Sequence, residues 1–363
     1  MRGLIEDDLG MKTRFAPVIM LAVVSPLTAE FLLGDQYLQG FAPAPAQIVM
    51  FLAFVAFYGM AAVLIRELGR RLRVGWPGLL LLALGYGIVE EGLITQTLFN
   101  PHYLGLDLLA PGHIDALGMG APWTVFVISL HVVWSIGTPI AITEAWYGSR
   151  RHDGDGAPDT GSWLGPVGIV VCALVLLIGV AGTFVESTLA SATPFLAQPA
   201  QLIGAAVAAA AAVLGAIALR GRDHSVLDGS PTASVSGGPT LRQVLLGALF
   251  GVLATSIFHA ADKLPDRLGW VSFAVMLVVW LIALLIMSRW RPAPFGVATG
   301  AVLSYAWVGM LPAIRTGTVG AVIEQSVLII GYLVLLSWII RRLGRDRARP
   351  ASYRAAGERP ARR

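Results

Sequence analysis

Ten apolar runs, most of them close to twenty residues long, leave this chain few ways to fold. They lie near 16–34, 46–67, 77–98, 122–146, 164–185, 200–219, 243–261, 269–288, 296–312 and 320–340. An α-helix rises about 1.5 Å per residue, so about twenty residues cross the ~30 Å of hydrocarbon in a bilayer. Water offers no alternative: 56% of the 363 residues are hydrophobic and only 13% are charged, about half the charged share of a soluble domain. The expected fold is all-α, a polytopic bundle of about ten transmembrane helices. The ninth run stops at Pro312, which leaves a tilted or re-entrant segment as the alternative there. Two spans open on a proline beside an interfacial tryptophan, Trp76-Pro77 and Pro122-Trp123, where the missing N–H costs nothing.

Basic residues set the direction of threading. With the N-terminus inside, 23 of the 26 lysines and arginines fall on the cytoplasmic side, and only Lys263, Arg267 and Arg315 fall outside. The segments 35–45, 99–121 and 186–199 carry neither lysine nor arginine. Both termini are therefore expected in the cytoplasm, with the chain in a bacterial plasma membrane. The bacterial assignment rests on 24 arginines against two lysines and on 41 glycines, a bias of GC-rich coding sequence. Glu6, Asp7 and Asp8 precede the first run, and no small-x-small cleavage site follows it. It reads as a retained span rather than a secretion signal.

The expected organisation is a cytoplasmic N-terminus (1–15), helices 1–4 (16–147), a linker (148–162), helices 5–6 (163–220), a second linker (221–241), helices 7–10 (242–340) and a basic tail (341–363). Both linkers are rich in glycine, serine, proline and aspartate. The sixth span, GAAVAAAAAVLGAIAL, is expected to pack closely among neighbours, because small residues let helices approach in lipid. The tail has nine arginines and two acids; its expected partner is anionic lipid headgroups, and no nucleic-acid recognition fold accompanies it. Cys172 stands alone, which excludes an intramolecular disulfide and a cysteine metal cluster.

Function is expected where polarity intrudes on the spans, since an ionisable group in hydrocarbon needs a partner or water. Glu90 and Glu91 lie in the third span and His131 in the fourth, each about 10–13 Å from the same end at 1.5 Å per residue. Gly87, Glu91 and Thr95 share one helical face, as do His131, Ser135 and Thr138, while adjacent Glu90 and Glu91 diverge by about 100°. Glu30, Glu186, His259, Asp262 and Glu324 cluster toward the same end of their spans; Glu144 is the exception. The expectation is an outward-facing polar pocket in which Glu90, Glu91, His131 and His259 are the candidate catalytic residues.

Three uses remain open. A carboxylate and histidine can activate water in a membrane-embedded hydrolase. His131, His259 and a glutamate can bind a metal. The acids can relay protons in a transporter or permease, and an accessory or sensory role needs none of this chemistry. No HExxH, phosphate-binding glycine loop or GxSxG motif is present, and no cofactor or substrate is specified.

The pair Glu90-Glu91 followed by His131 resembles in part the CAAX-processing and bacteriocin-immunity group of intramembrane proteases. That family carries EExxxR, FxxxH and a later histidine, and the resemblance implies water activation by glutamate and histidine. Here Thr95 occupies the arginine position, Val127 the phenylalanine position, and His259 could stand for the later histidine. The stretch SPLTAEFLLGD (25–35), the EEG run and LFNP (98–101) also resemble multi-pass proteins of actinobacteria.

Overall fold

The computed structural model describes residues 14–34, 44–148, 161–191, 193–220 and 239–348. Most of both linkers, the N-terminal arm and the end of the basic tail lie outside the described residues. The fold is all-α. Its helices are α1 (Phe15–Phe31), α2 (Pro45–Leu72), α3 (Gly75–Ile94), α4 (Ala121–Tyr147), α5 (Pro166–Leu189), α6 (Pro199–Ala218), α7 (Leu241–Asp262), α8 (Asp266–Trp290), α9 (Pro294–Arg315) and α10 (Val319–Arg345). Among the described residues, nine are long and apolar enough to cross a membrane, and α1 is shorter. The chain sits in a lipid bilayer through these helices, and rows of exposed leucine, isoleucine and valine supply its lipid-facing surface. A two-residue hairpin, β1 (His113–Ile114) and β2 (Met119–Gly120), lies in the connection between α3 and α4.

Burial ranks the helices. In α4 78% of the most apolar window is buried, against 11% in α5 and α8, so α4 is the axis and those two are the rim. Two close crossings build the rest. Gly247 and Gly251 on α7 face Gly296 and Gly300 on α9, each pair one turn apart. A Cβ on Gly251 would lie 2.5 Å from the Val297 carbonyl oxygen, and one on Gly300 2.4 Å from that of Ala248. Only glycine permits this backbone-to-backbone approach, where dispersion replaces the hydrophobic drive that lipid cannot supply. The alanine-rich α6 differs from expectation. Ala205, Ala209, Ala212 and Ala216 form one buried face, part of it against α3, while Ile203, Val207 and Leu214 face outward. Small residues on a single stripe seat a peripheral helix.

Helix boundaries also shift. The ninth helix does not stop at Pro312 but runs on to Arg315; near a helix C-terminus one lost N–H breaks one bond without ending the helix. The third stops at Ile94, before the expected 98, because Gln96 adopts a left-handed backbone (φ 57°) and turns the chain back.

At the arginine-rich end, α2, α4 and the segment leading into α5 are tied by ion pairs. Arg66, fully buried, donates from Nε to Glu144 Oε1 at 2.9 Å. Arg70 Nε reaches the same oxygen at 2.8 Å, and its terminal amino group bonds Glu144 Oε2. Glu67 accepts from Arg71 Nε (2.9 Å) and from the Trp163 backbone N–H (2.8 Å), while the Arg66 guanidinium lies 3.5 Å over the Trp163 ring. Removing one side of a buried pair leaves the other charge uncompensated, at about 3–5 kcal/mol. Glu144→Leu is therefore expected to lower the thermal unfolding temperature in detergent sharply. Arg73→Ala, at an exposed arginine nearby, should cost no more than about 0.5 kcal/mol.

Candidate functional site

Five helices contain a π-turn, one of them at Val185–Leu189 in α5, and the other four carry the site. Regular α-helix gives way to a π-turn at Leu27–Phe31 in α1, Val55–Gly59 in α2, Glu90–Ile94 in α3 and His131–Gly137 in α4. Such turns insert a residue into the helical ladder, redirect side chains, and recur at functional sites. These four carry Glu30, Tyr58, Glu90 with Glu91, and His131.

Local sequence makes the distortions affordable. Pro139 has no N–H for the Ser135 carbonyl four residues back, and Ser25 on α1 supplies the missing donor, Oγ to O at 2.7 Å. Pro26 likewise deprives the Ala22 carbonyl, against which α2 packs through Gly59; a Cβ there would lie 2.3 Å from that oxygen. The end of α3 is braced by Thr188 of α5, whose hydroxyl donates to the Ile94 carbonyl at 3.1 Å.

At the centre His131 lies between the two carboxylates. Its Nε2 is 2.6 Å from Glu91 Oε1, and its Nδ1 is 3.1 Å from Glu90 Oε2. Divergent neighbours on α3 thus share one partner, because the two ring nitrogens point different ways and the π-turn re-aims the pair. Glu91 Oε2 accepts from Thr95 Oγ1 at 3.1 Å and from the Thr97 hydroxyl. Ser135 Oγ lies 3.3 Å from His131 Nδ1. Tyr58 stacks on the imidazole at 6.0 Å between centroids, and Tyr86 meets it edge-on at 6.2 Å. Gly87 gives the ring room, since a Cβ there would lie 3.1 Å from the His131 Cβ.

The expected outward-facing pocket is not what forms. Glu90, Glu91 and His131 are 1%, 4% and 5% exposed, a buried cluster. The reason is the turn after α3. Residues 95–100 fold back so that the Leu98 N–H reaches the Glu91 carbonyl, and buried Gln96 ties the turn to the Ala197 N–H at 2.7 Å. Thr95, Gln96, Thr97 and Asn100 cover the end of the helix that would otherwise open outward.

The other candidates are dispersed. His259 is fully buried but outside the cluster, among Trp134 (4.8 Å), Tyr305 (5.3 Å) and Phe126 (5.6 Å), with neither ring nitrogen hydrogen-bonded. Glu186 is exposed, Asp262 pairs with Lys263 at 2.6 Å, and Glu324 accepts from Gln47 at 3.4 Å. Glu30 lies against Tyr58 at the edge of the site. Sequence reasoning missed Tyr58, Gln96 and Thr97; the signal available for the last two was the polar run Thr95-Gln96-Thr97 directly after the acids.

A family model described as an uncharacterized membrane protein family matches residues 19–339. The chain belongs to that family. The match spans α1 to α10 almost entirely, so the buried cluster is part of the family's own domain. It points neither to the CAAX-processing proteases nor specifically to actinobacteria. No curated protein and no solved structure matches the chain.

Within this family fold the Glu91 carboxylate depends on its threonine donors. Thr97→Val removes a buried donor without changing shape, and should cost about 1–3 kcal/mol of stability in a thermal unfolding assay. Thr124→Val, at a hydroxyl that donates to the Gly120 carbonyl in a half-buried position, is expected to cost less.

Proposed function

We propose that Glu90, Glu91 and His131 are the protein ligands of a divalent metal ion, and that the chain is a membrane metalloprotein with zinc as its fitting ion. The supporting observation is the convergence of one donor atom from each residue within 4.8 Å of one another, all three residues buried. Among the described residues it is the one such group of His, Cys, Asp or Glu side chains. Charge argues the same way. Two carboxylates and a neutral imidazole carry a net charge of minus two, which a divalent cation cancels, and uncompensated charge is strongly penalised in a dry interior. Carboxylate oxygen and imidazole nitrogen suit zinc.

Three protein ligands leave a coordination position open, the pattern of catalytic rather than structural zinc sites. His131 would bind through one ring nitrogen, and Ser135 Oγ, 3.3 Å from Nδ1, would help to fix the ring's orientation, as outer partners of metal-bound histidines do. The hydroxyls of Tyr58 and Tyr86, which interact with Glu90, would be the available proton donors. The Glu-Glu and histidine pattern is also the part of the chain that resembles the CAAX-processing proteases. With Thr95 in the arginine position, the second carboxylate is steadied by hydroxyls instead of a cation. The arginine distribution supports placing both termini in the cytoplasm of a plasma membrane.

Purified full-length protein loaded with zinc and desalted should retain about one equivalent by elemental analysis, and cobalt should give a ligand-field absorption band. Glu91→Gln and His131→Ala should each abolish both signals, and chelation should lower the unfolding temperature of the parent protein. Loaded parent protein with no metal above background and no response to chelation would overturn the reading. His131 would then be an imidazolium held between two carboxylates.

A further inference from the structure

A separate apolar cavity of about 120 Å³ lies beside the bundle axis, between α4, α7, α8 and α9. Its walls include Trp134, Phe258 and Trp280, and its floor is made by small residues such as Gly137, Ala141 and Ala298. Two of the three hydroxyls in its lining are already occupied. Ser129 donates to the Val125 carbonyl at 2.5 Å and accepts from Trp280 Nε1 at 2.8 Å; Thr255 donates to the Gly251 carbonyl at 2.7 Å. Water needs about two to four polar partners to stay in a buried space, and an apolar cavity near this size stays dry while accepting apolar guests. The occupant must be hydrocarbon.

The position of the cavity says which hydrocarbon. Phe250, Ala254, Ala283 and Met287 line it and remain partly exposed, each next to outward-facing Leu249, Leu253 or Leu284. The cavity is therefore continuous, between α7 and α8, with the surface that faces lipid. A chain already dissolved in the bilayer enters sideways without crossing water, and it arrives against the π-turn that carries both Trp134 and His131. We propose that this cavity is a binding site for one acyl chain of a bilayer lipid. The proposal stands independently of a metal at the Glu/His cluster.

The test is photochemical. Full-length protein is reconstituted in phosphatidylcholine vesicles with a diazirine midway along one acyl chain, irradiated, digested and mapped by mass spectrometry. Adducts are expected on Thr138, Ala141 or Ala298, which are buried and out of reach of bulk lipid, as well as on exposed Leu277 and Leu281 of α8. Ala254→Phe and, separately, Ala283→Phe fill the space. Each should eliminate the buried adducts and leave those on Leu277 and Leu281 unchanged, which also verifies a folded, inserted protein. Adducts confined to exposed residues in the parent protein would overturn the proposal. So would buried adducts undiminished in a filled variant that keeps its surface adducts.

Discussion

Hydrocarbon offers no hydrogen bonds, and the whole structure follows from how each exposed polar group is answered. A proline or π-turn inside a spanning helix strands a carbonyl, and the stranded oxygens here are met by side chains from other helices. Ser25 meets Ser135, Thr188 meets Ile94, Gln325 meets Leu32 at 2.8 Å, and Tyr332 joins Thr28 at Val24. Trp134 also reaches across to the Ala301 carbonyl, at 2.9 Å, in a regular stretch of α9. These bonds run between segments far apart in sequence, so the irregularities that could have weakened the helices cross-link them. The Glu/His cluster sits where four irregularities coincide, and its geometry is held by the same bonds.

The gross architecture was legible because the hydrophobic requirement repeats over about twenty residues at a time and survives local variation. All ten apolar runs became helices. The partner of the stranded Ser135 carbonyl was not readable, since Ser25 is 110 residues away and looks like any small residue in a helix. Arg66, Arg70 and Arg71 illustrate the same limit. Their charge signals a membrane boundary in sequence, yet Arg66 is wholly buried and stacked on Trp163. Charge can be counted along a chain, but the company it keeps cannot.

The site was half legible for a related reason. Two acids and a histidine at equal depth are conspicuous in lipid, and they do meet. Their accessibility is not legible, because a regular helix through Thr95, Gln96 and Thr97 would leave the pocket open. One left-handed residue, Gln96, turns that segment from the mouth of a pocket into its cover. His259 was grouped with the cluster by depth alone, and helix rotation sends it into an aromatic enclosure instead.

The glycine crossing of α7 and α9 has a mechanical consequence. Two helices whose backbones touch cannot slide or tilt without collision, so that pair acts as a fixed post. Across from it, α8 is mostly exposed to lipid and, among the described residues, is held to the axis by the indole-to-serine bond of Trp280 and Ser129 and by apolar packing, with Gly269 close against Pro111 and Gly112 at its start. Any breathing of this side of the molecule is borne by α8, which makes it the hinged panel and the glycine-locked pair its frame.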